Sequence, residues 1–300
     1  MKAIVTGGAG FIGSHLVDAL LNEHIEVTVL DNFSTGRLEN LAHVQDQIEL
    51  VECDLAVKGE WDKHFVNVDW VLHLAALADI VPSIQQPATY YRTNVDGTFN
   101  VLQAAKNAKV KRFIYAASSS CYGIPENYPT SEQAEIRPQY PYALTKRLGE
   151  ELVLHWALVY GLPSLSLRFF NVYGFRHLAE GPYATVMAIF EEQKKNNKAL
   201  TITSDGEQRR DFTNVDDIVD GLIKMSKDDW NGEIFNLGTG RNHSINELAE
   251  LFNPKSIEYI PKRPGEADVT LADISFTQEK LSWKPLVSIE DYIKDFISSL

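Results

Sequence analysis

Tyr142 and Lys146 stand four residues apart in Pro141-Tyr142-Ala143-Leu144-Thr145-Lys146-Arg147, a segment whose one helix breaker falls in its first turn. At that spacing a helix carries both side chains on one face. A phenol with an ordinary pKa of ~10 does not ionise near neutrality, and a neighbouring ammonium group favours its phenolate. The pair can therefore move a proton, although alone it would more often be an exposed helix pair. Its surroundings change that reading. Ala116-Ala117-Ser118-Ser119-Ser120-Cys121-Tyr122-Gly123 directly follows an apolar, strand-like run from Arg112 to Ala116. Three hydroxyls are thereby placed where a parallel strand ends, although a serine-rich loop can also be simple turn chemistry.

A second constellation opens the chain. After the apolar run Lys2 to Val5 comes Thr6-Gly7-Gly8-Ala9-Gly10-Phe11-Ile12-Gly13, then a helical pattern from Ser14. Gly8, Gly10 and Gly13 satisfy G-x-G-x-x-G, and Gly7, Gly10 and Gly13 satisfy G-x-x-G-x-x-G. Either arrangement lets the backbone approach a pyrophosphate at a helix N-terminus, where free N–H groups and the helix dipole favour anions. Asp31 closes the second apolar run 21 residues after Gly10, where a carboxylate accepts hydrogen bonds from a ribose diol and repels a 2′-phosphate. NAD is thus expected over NADP, with Arg37 the one nearby residue that argues the other way. The positive ring of NAD⁺ would add to Lys146 in favouring the Tyr142 phenolate, while Lys146 also holds the nicotinamide ribose.

These residues need a scaffold that brings them to one edge. Short apolar runs at Lys2 to Val5, Glu26 to Leu30, Gln47 to Glu52, Trp70 to Leu74, Arg112 to Ala116 and Ser164 to Arg168 alternate with helical segments such as Ser14 to Asn22 and Thr98 to Asn107. That alternation predicts a doubly wound parallel α/β sheet of the Rossmann type. Beyond Arg168 the pattern loosens around Gly174, Gly181, Pro254, Pro261, Pro264 and Pro285, which predicts a smaller mixed lobe. Residues 1–170 are expected to bind the dinucleotide and residues 171–300 mainly the substrate. Residues 211–240 should return to the first sheet through a helix starting at Val215 and a strand Ile234 to Leu237.

Composition narrows the function classes. The 300 residues are 44% hydrophobic and 23% charged, with a net charge of -13, so a core is expected and a general footprint for nucleic acid or an anionic membrane is not. Cys53 and Cys121 are too few for a disulfide framework and have no metal-ligand spacing around them. No metal is expected. The N-terminal apolar run is too short for a signal peptide, and no stretch approaches the roughly 20 apolar residues of a membrane span. A cytoplasmic metabolite enzyme is the expectation.

Taken together, Thr6 to Gly13, Asp31, Asp54, His73 to Ala76, Asn94, Ser118 to Gly123, Tyr142/Lys146 and Leu167-Arg168-Phe169-Phe170-Asn171-Val172-Tyr173-Gly174 resemble the extended short-chain dehydrogenase/reductase family, in particular its nucleotide-sugar 4-epimerases. The likeness spans the chain. It implies that Gly7, Gly10, Phe11, Ile12, Gly13, Asp31, Asn32, Asp54, Leu55, Leu74, Ala75, Ala76 and Asn94 line NAD, together with Tyr142 and Lys146. Ser118 would assist Tyr142, Ser119 and Ser120 would face the sugar, and Asn171 would sit on the nicotinamide side of the substrate. Arg210, just before Asp211-Phe212, and Arg263 of Arg263-Pro264-Gly265-Glu266 correspond to diphosphate-gripping arginines. Asp268 would hold the nucleotide ribose. Arg209 is read as a solvated surface residue.

In the family, the tyrosine takes the C4 hydroxyl proton of the sugar while hydride leaves C4 for NAD⁺, giving a 4-keto sugar. Members that go on to dehydrate carry an acidic pair directly after the catalytic hydroxyl, where this chain has Ser119 and Ser120. The resemblance therefore implies C4 epimerisation of a nucleotide-diphosphate hexose, UDP-glucose/UDP-galactose and/or their N-acetylhexosamine or uronate counterparts, by a homodimer. A 4,6-dehydratase, a net reductase with an exchangeable cofactor, or a non-catalytic NAD-binding sensor stand as alternatives. Thr270, seven residues after Arg263, occupies the position where a tyrosine restricts related epimerases to plain hexoses, so N-acetylhexosamines are expected to be accepted.

Overall fold

A computed structural model of the chain describes residues 1–179, 181, 184–261 and 267–300. Six strands fall where the alternation placed them: β1 Lys2–Thr6, β2 Glu26–Asp31, β3 Ile48–Glu52, β4 Trp70–His73, β5 Arg112–Ser118 and β6 Ser164–Phe169. The ends differ slightly: β1, β2 and β6 run one residue beyond the expected end and β5 two, whereas β3 and β4 are each one residue shorter. A 3-10 turn over Gln45–Gln47 precedes β3, so Gln47 is outside the strand, and β4 stops at His73 so that Leu74 starts the loop above the sheet.

All pairings in the central sheet are parallel, in the order β3-β2-β1-β4-β5-β6, and the strand Ile234–Leu237 adds beside β6. The chain thus winds one way from β1 to β3 and the other way from β4 onward. Between β1 and β4, where the direction reverses, a crevice opens at the carboxyl edge. Both sheet faces are covered, which is why strands such as Lys2-Ala3-Ile4-Val5-Thr6 read as nearly continuous apolar runs. On one face helices Phe11–Asn22 and Val215–Lys227 bury Leu16, Val17, Leu20, Ile218 and Leu222 against Val5, Val29 and Leu72. On the other, helices Gly97–Ala108 and Pro141–Tyr160 cover Ile4, Val71, Phe113 and Tyr115. Each fully buried leucine or isoleucine of these layers contributes about 1.5–3 kcal/mol.

Helix ends follow local chemistry. Asn214 caps Val215–Lys227 by accepting from the Asp216 N–H at 2.9 Å, with Asp216 and Asp217 in the first turn and Lys224 and Lys227 in the last. Pro141 opens the long helix and Gly161, at φ +64, closes it. The later residues build a separate core from Tyr173, Met187, Phe190, Ile202, Leu248, Phe252, Ile293 and Phe296. Short strand pairs surround it: Asn171–Tyr173 with Phe212–Asn214, Leu200–Thr203 with Ile257–Ile260, and Arg209–Arg210 with His243–Ser244. Among the described residues, no helix is long and apolar enough to cross a membrane, and no group of three or more His, Cys, Asp or Glu could hold a metal ion.

Candidate active site

The turn between β1 and helix Phe11–Asn22 is as tight as its glycines require. Gly7 has φ +71, and a Cβ there would meet the Ala75 nitrogen at 2.8 Å; at Gly13 it would meet the Gly7 carbonyl oxygen at 2.1 Å. The helix N-terminus, whose first N–H groups have no intrahelical acceptor, consequently opens into a cavity of about 300 Å³. Gly7, Gly10, Phe11, Ile12, Gly13, Asp31, Asn32, Asp54, Leu55, Leu74, Ala75, Ala76, Tyr142 and Lys146 all line it. Residues from five separate stretches of chain thus meet in one elongated space. Asp31 is 7% exposed and accepts from the Ala9 and Phe33 N–H groups at 2.9 Å each. Burial raises its pKa while those bonds oppose the rise. Arg37 also lines the cavity, where it donates to the Arg176 carbonyl at 2.9 Å. A glycine cradle, an open helix N-terminus and a buried carboxylate fit a dinucleotide without a 2′-phosphate.

The floor of this cavity is fastened by a buried histidine. His73 Nε2 lies 2.9 Å from Thr98 Oγ1, whose hydroxyl donates to the Asn94 carbonyl, so the ring proton is assigned to Nε2. Nδ1 then accepts from Thr6 at 2.7 Å. Burial first, and the Lys146 charge second, push this imidazole down to about 3, so it stays neutral.

At the other end stand the residues with proton chemistry. Tyr142 and Lys146 project from the long helix onto the end of β5, as their spacing requires. Burial pushes the Lys146 ammonium down to about 7, opposed by Glu150 one turn further on; its Nζ sits 4.3 Å from the centre of the Tyr115 ring. Burial raises the Tyr142 phenol, a hydrogen bond with Ser118 opposes that, and the charge of Asp79 adds to it. Ser118 ends β5 and caps the short turn Ser119–Tyr122, its Oγ accepting from the Ser120 N–H at 3.2 Å. The serine turn is therefore beside the tyrosine, with hydroxyls only.

Three features here escaped the sequence reading. Tyr140 stacks on Tyr142 with ring centres 6.4 Å apart and planes 10° from parallel. Asp79, at φ +81, follows the wall residue Ala78 and caps helix Ile80–Gln85. The third is a buried polar network. Glu150, on the same helix as Tyr142 and Lys146, receives Arg168 in two bonds of 3.0 and 2.7 Å and Ser166 at 2.8 Å. Arg168 also donates to the Tyr122 hydroxyl at 2.8 Å, and Tyr122 to Asn236 Oδ1 at 2.7 Å. Burial alone would raise the Glu150 carboxyl; Arg168 and Ser166 outweigh it and hold the group below its usual range. The signal for this network was a serine and an arginine inside the otherwise apolar β6, with a glutamate four residues beyond Lys146.

Other expected site residues lie outside this cavity's lining. The Asn94 amide bonds both backbone groups of Leu77 at 2.8 and 3.0 Å and Thr145 Oγ1 at 3.0 Å, so it braces the loop after β4 against the Tyr-Lys helix. Arg210 sits at the edge of the C-terminal half, bonded to the Arg209 carbonyl at 3.0 Å and the Asp268 carbonyl at 3.4 Å. Its charge reaches Tyr140 and Tyr128. Thr270 donates to Asn171 Oδ1 at 2.9 Å and accepts from the Asp211 N–H at 3.1 Å, so these two expected neighbours of the sugar are joined. Arg209 is at the surface, as expected, and there it forks onto Glu247 at 2.8 and 3.1 Å and bonds Asn242. Arg263 lies outside the described residues.

Known proteins are similar to this chain over nearly its whole length. The model of the NAD dependent epimerase/dehydratase family matches residues 3–238. UDP-glucose 4-epimerase of Thermotoga maritima, crystallised with UDP-glucose, is 34% identical and superposes with a TM-score of 0.94 over 99% of this chain and 98% of its own. UDP-N-acetylglucosamine 4-epimerase of Methanobrevibacter ruminantium M1, in complex with UDP-N-acetylmuramic acid, is 35% identical with a TM-score of 0.93 over 100% and 99%. A UDP-N-acetyl-alpha-D-glucosaminuronate decarboxylase of Bacillus cytotoxicus is 33% identical over 99% of this chain and 96% of its own length. Epimerases and a decarboxylase alike share the full length of this chain, which belongs to the NAD-dependent epimerase/dehydratase family.

Proposed function

We infer that the chain inverts the C4 hydroxyl of a UDP-linked hexose. The observation that carries this reading is the Ser118, Tyr142 and Lys146 set beside a serine turn that offers hydroxyls at Ser119 and Ser120 and no carboxylic acid. Elimination across C5 and C6 needs an acid and a base in addition to the tyrosine, whereas inversion needs only the tyrosine to take a proton and give it back.

NAD, the family's cofactor, would be held by the Gly7 to Gly13 turn, Asp31 and Lys146; when bound it accepts and returns the C4 hydride and favours the Tyr142 phenolate by its positive ring. Tyr142 takes the proton from the sugar hydroxyl, with Ser118 bonded to its phenol and Lys146 one helical turn away. Residues 1–170 with 211–240 form the cofactor lobe in this reading, and the remainder of 171–300 grips the nucleotide. Arg210 and Arg263 bind its diphosphate and Asp268 its ribose. The short Thr270, fixed by Asn171 and Asp211, leaves room beside the sugar, which favours acceptance of N-acetylhexosamines together with plain hexoses. Exposed apolar side chains on the long helix, Leu144, Leu158 and Val159, with Phe99 on the neighbouring one, favour a homodimer.

The test is a panel of UDP-glucose, UDP-galactose, both N-acetyl counterparts and UDP-glucuronate, with products resolved by NMR. C4 epimers of unchanged mass are expected. A 4-keto-6-deoxy sugar or a pentose as the product would overturn the reading.

A further inference from the structure

The cofactor cavity has one wall that the glycine turn does not supply. The segment Phe175 to Leu178, from the C-terminal half, lies across the start of helix Phe11–Asn22. His15 bonds the Phe175 carbonyl at 2.8 Å, Arg37 the Arg176 carbonyl at 2.9 Å, and Arg176 pairs with Asp18 at 2.8 Å. These ties seat His177 in the lining of the cavity together with Gly10, Phe11, Ile12 and Gly13. Its side chain is 6% exposed, and its ring centre is 5.8 Å from that of Phe11, the first residue of the helix.

The two ring nitrogens of His177 differ. Nε2 lies 3.1 Å from Glu191 Oε2, and the other oxygen of Glu191 accepts from the Tyr292 hydroxyl at 2.9 Å. Nδ1 is buried and has no hydrogen-bond partner among the described residues. A buried polar atom without a partner is costly and rare in native proteins. This one sits at the helix end where the backbone already favours an anion. We propose that His177 is a ligand of the pyrophosphate of the dinucleotide: Nδ1–H donates to a phosphate oxygen, while Glu191, fixed by Tyr292, orients the ring and balances its charge. Glu191 and Tyr292 belong to the C-terminal lobe, so the cofactor is gripped from both halves of the chain. The proposal rests on the cofactor and not on which sugar is turned over.

The experiment uses the full-length holoenzyme without any sugar. NAD is displaced by adenosine, ADP or ADP-ribose, and its release is measured by desalting and quantifying the freed nucleotide. In His177→Ala, the affinities for ADP and ADP-ribose fall about tenfold or more while that for adenosine stays within about twofold. His177→Gln, which keeps an amide donor, recovers part of the loss. Glu191→Gln, which keeps shape and hydrogen bonding, moves ADP in the same direction by less and serves as the readout if the alanine variant does not fold. Unchanged ADP affinity, equal losses for adenosine and ADP, or a loss confined to ADP-ribose overturns the proposal, the last because it would mark a contact to the second ribose.

Discussion

The two ends of the reaction space are built by different rules. At the cofactor end, backbone and carboxylate are locked by main-chain groups: Ala75 leaves no room for a side chain at Gly7, the Gly7 carbonyl leaves none at Gly13, and Asp31 is held by the Ala9 and Phe33 N–H groups. At the proposed sugar end, side chains from distant stretches meet in pairs, such as Thr270 on Asn171, 99 residues apart, and Arg210 on the Asp268 carbonyl, 58 apart. The first construction leaves almost no room for change. The second rests on side-chain pairs that can be exchanged one at a time. Lesions at the cofactor and proton end should therefore be large and indifferent to the sugar, and lesions at the sugar end small and selective.

The hardest test of that contrast is Tyr142→Phe, which removes the proton carrier and keeps the ring stacked on Tyr140. Turnover should fall about 10³-fold or more on every accepted sugar, with NAD still bound, as steady-state rates and the absorbance of the purified protein will show. Near-normal turnover would remove Tyr142 from the mechanism. Next in size is Glu150→Ala. It strands Arg168, which like Glu150 is 1% exposed, and loss of one partner of such a buried pair should cost about 3–5 kcal/mol in urea unfolding.

His73 sharpens the contrast through pH. Its folded pKa lies near 3, whereas the unfolded imidazole titrates near 6.5. Between these values only the unfolded chain takes up the proton. The contribution to stability is thus complete above about pH 6.5 and is lost progressively as pH falls from about 6.5 towards 3. Chemical denaturation across that window should show the decline, and His73→Gln should flatten it. Asp31→Asn should narrow the preference for NAD over NADP by about tenfold or more in cofactor titrations, through loss of a charged acceptor for the ribose diol; tighter NADP binding by the unmodified protein would contradict the cofactor reading. The smallest and most selective effect belongs to Thr270→Tyr. It should reduce kcat/KM for N-acetylated UDP-hexoses by about 1–3 kcal/mol and leave the plain ones nearly unchanged; equal losses on both would break the comparison.

What was legible beforehand follows the same division. Tyr142 and Lys146, the glycine turn and the strand Ile234–Leu237 are each written in a few neighbouring residues, and each lies where its spacing placed it. Periodicity carries only local information, so it missed the 3-10 turn that removes Gln47 from β3. It also missed the stacking of Tyr140 on Tyr142, which depends on the extended backbone at Tyr140 where the chain enters the long helix, and Asp79, whose proximity to Tyr142 depends on how the loop after β4 folds over that helix. Asn94 was assigned to the cofactor by resemblance, but its bonds to Leu77 and Thr145 are specified by no motif. Arg209 and Arg210 are chemically identical and adjacent. Only the strand pairing with His243–Ser244 turns one onto Glu247 and leaves the other at the lobe edge.

The network from Glu150 to Asn236 also bears on the order in which a growing chain becomes competent. By the time Gly161 leaves the ribosome, the glycine turn, the serine turn and the Tyr-Lys helix have all been synthesised. Arg168 and Tyr122 then have one another but not Asn236, which joins 114 residues after Tyr122. Asn236 itself is tied to the Asp273 carbonyl and accepts Thr277 at its own. The Asn236 end of the network thus closes only once the last tenth of the chain is in place. A nascent or truncated protein that stops short of this closure would carry every motif of the enzyme while its long helix lacked the far anchor of its buried charge pair.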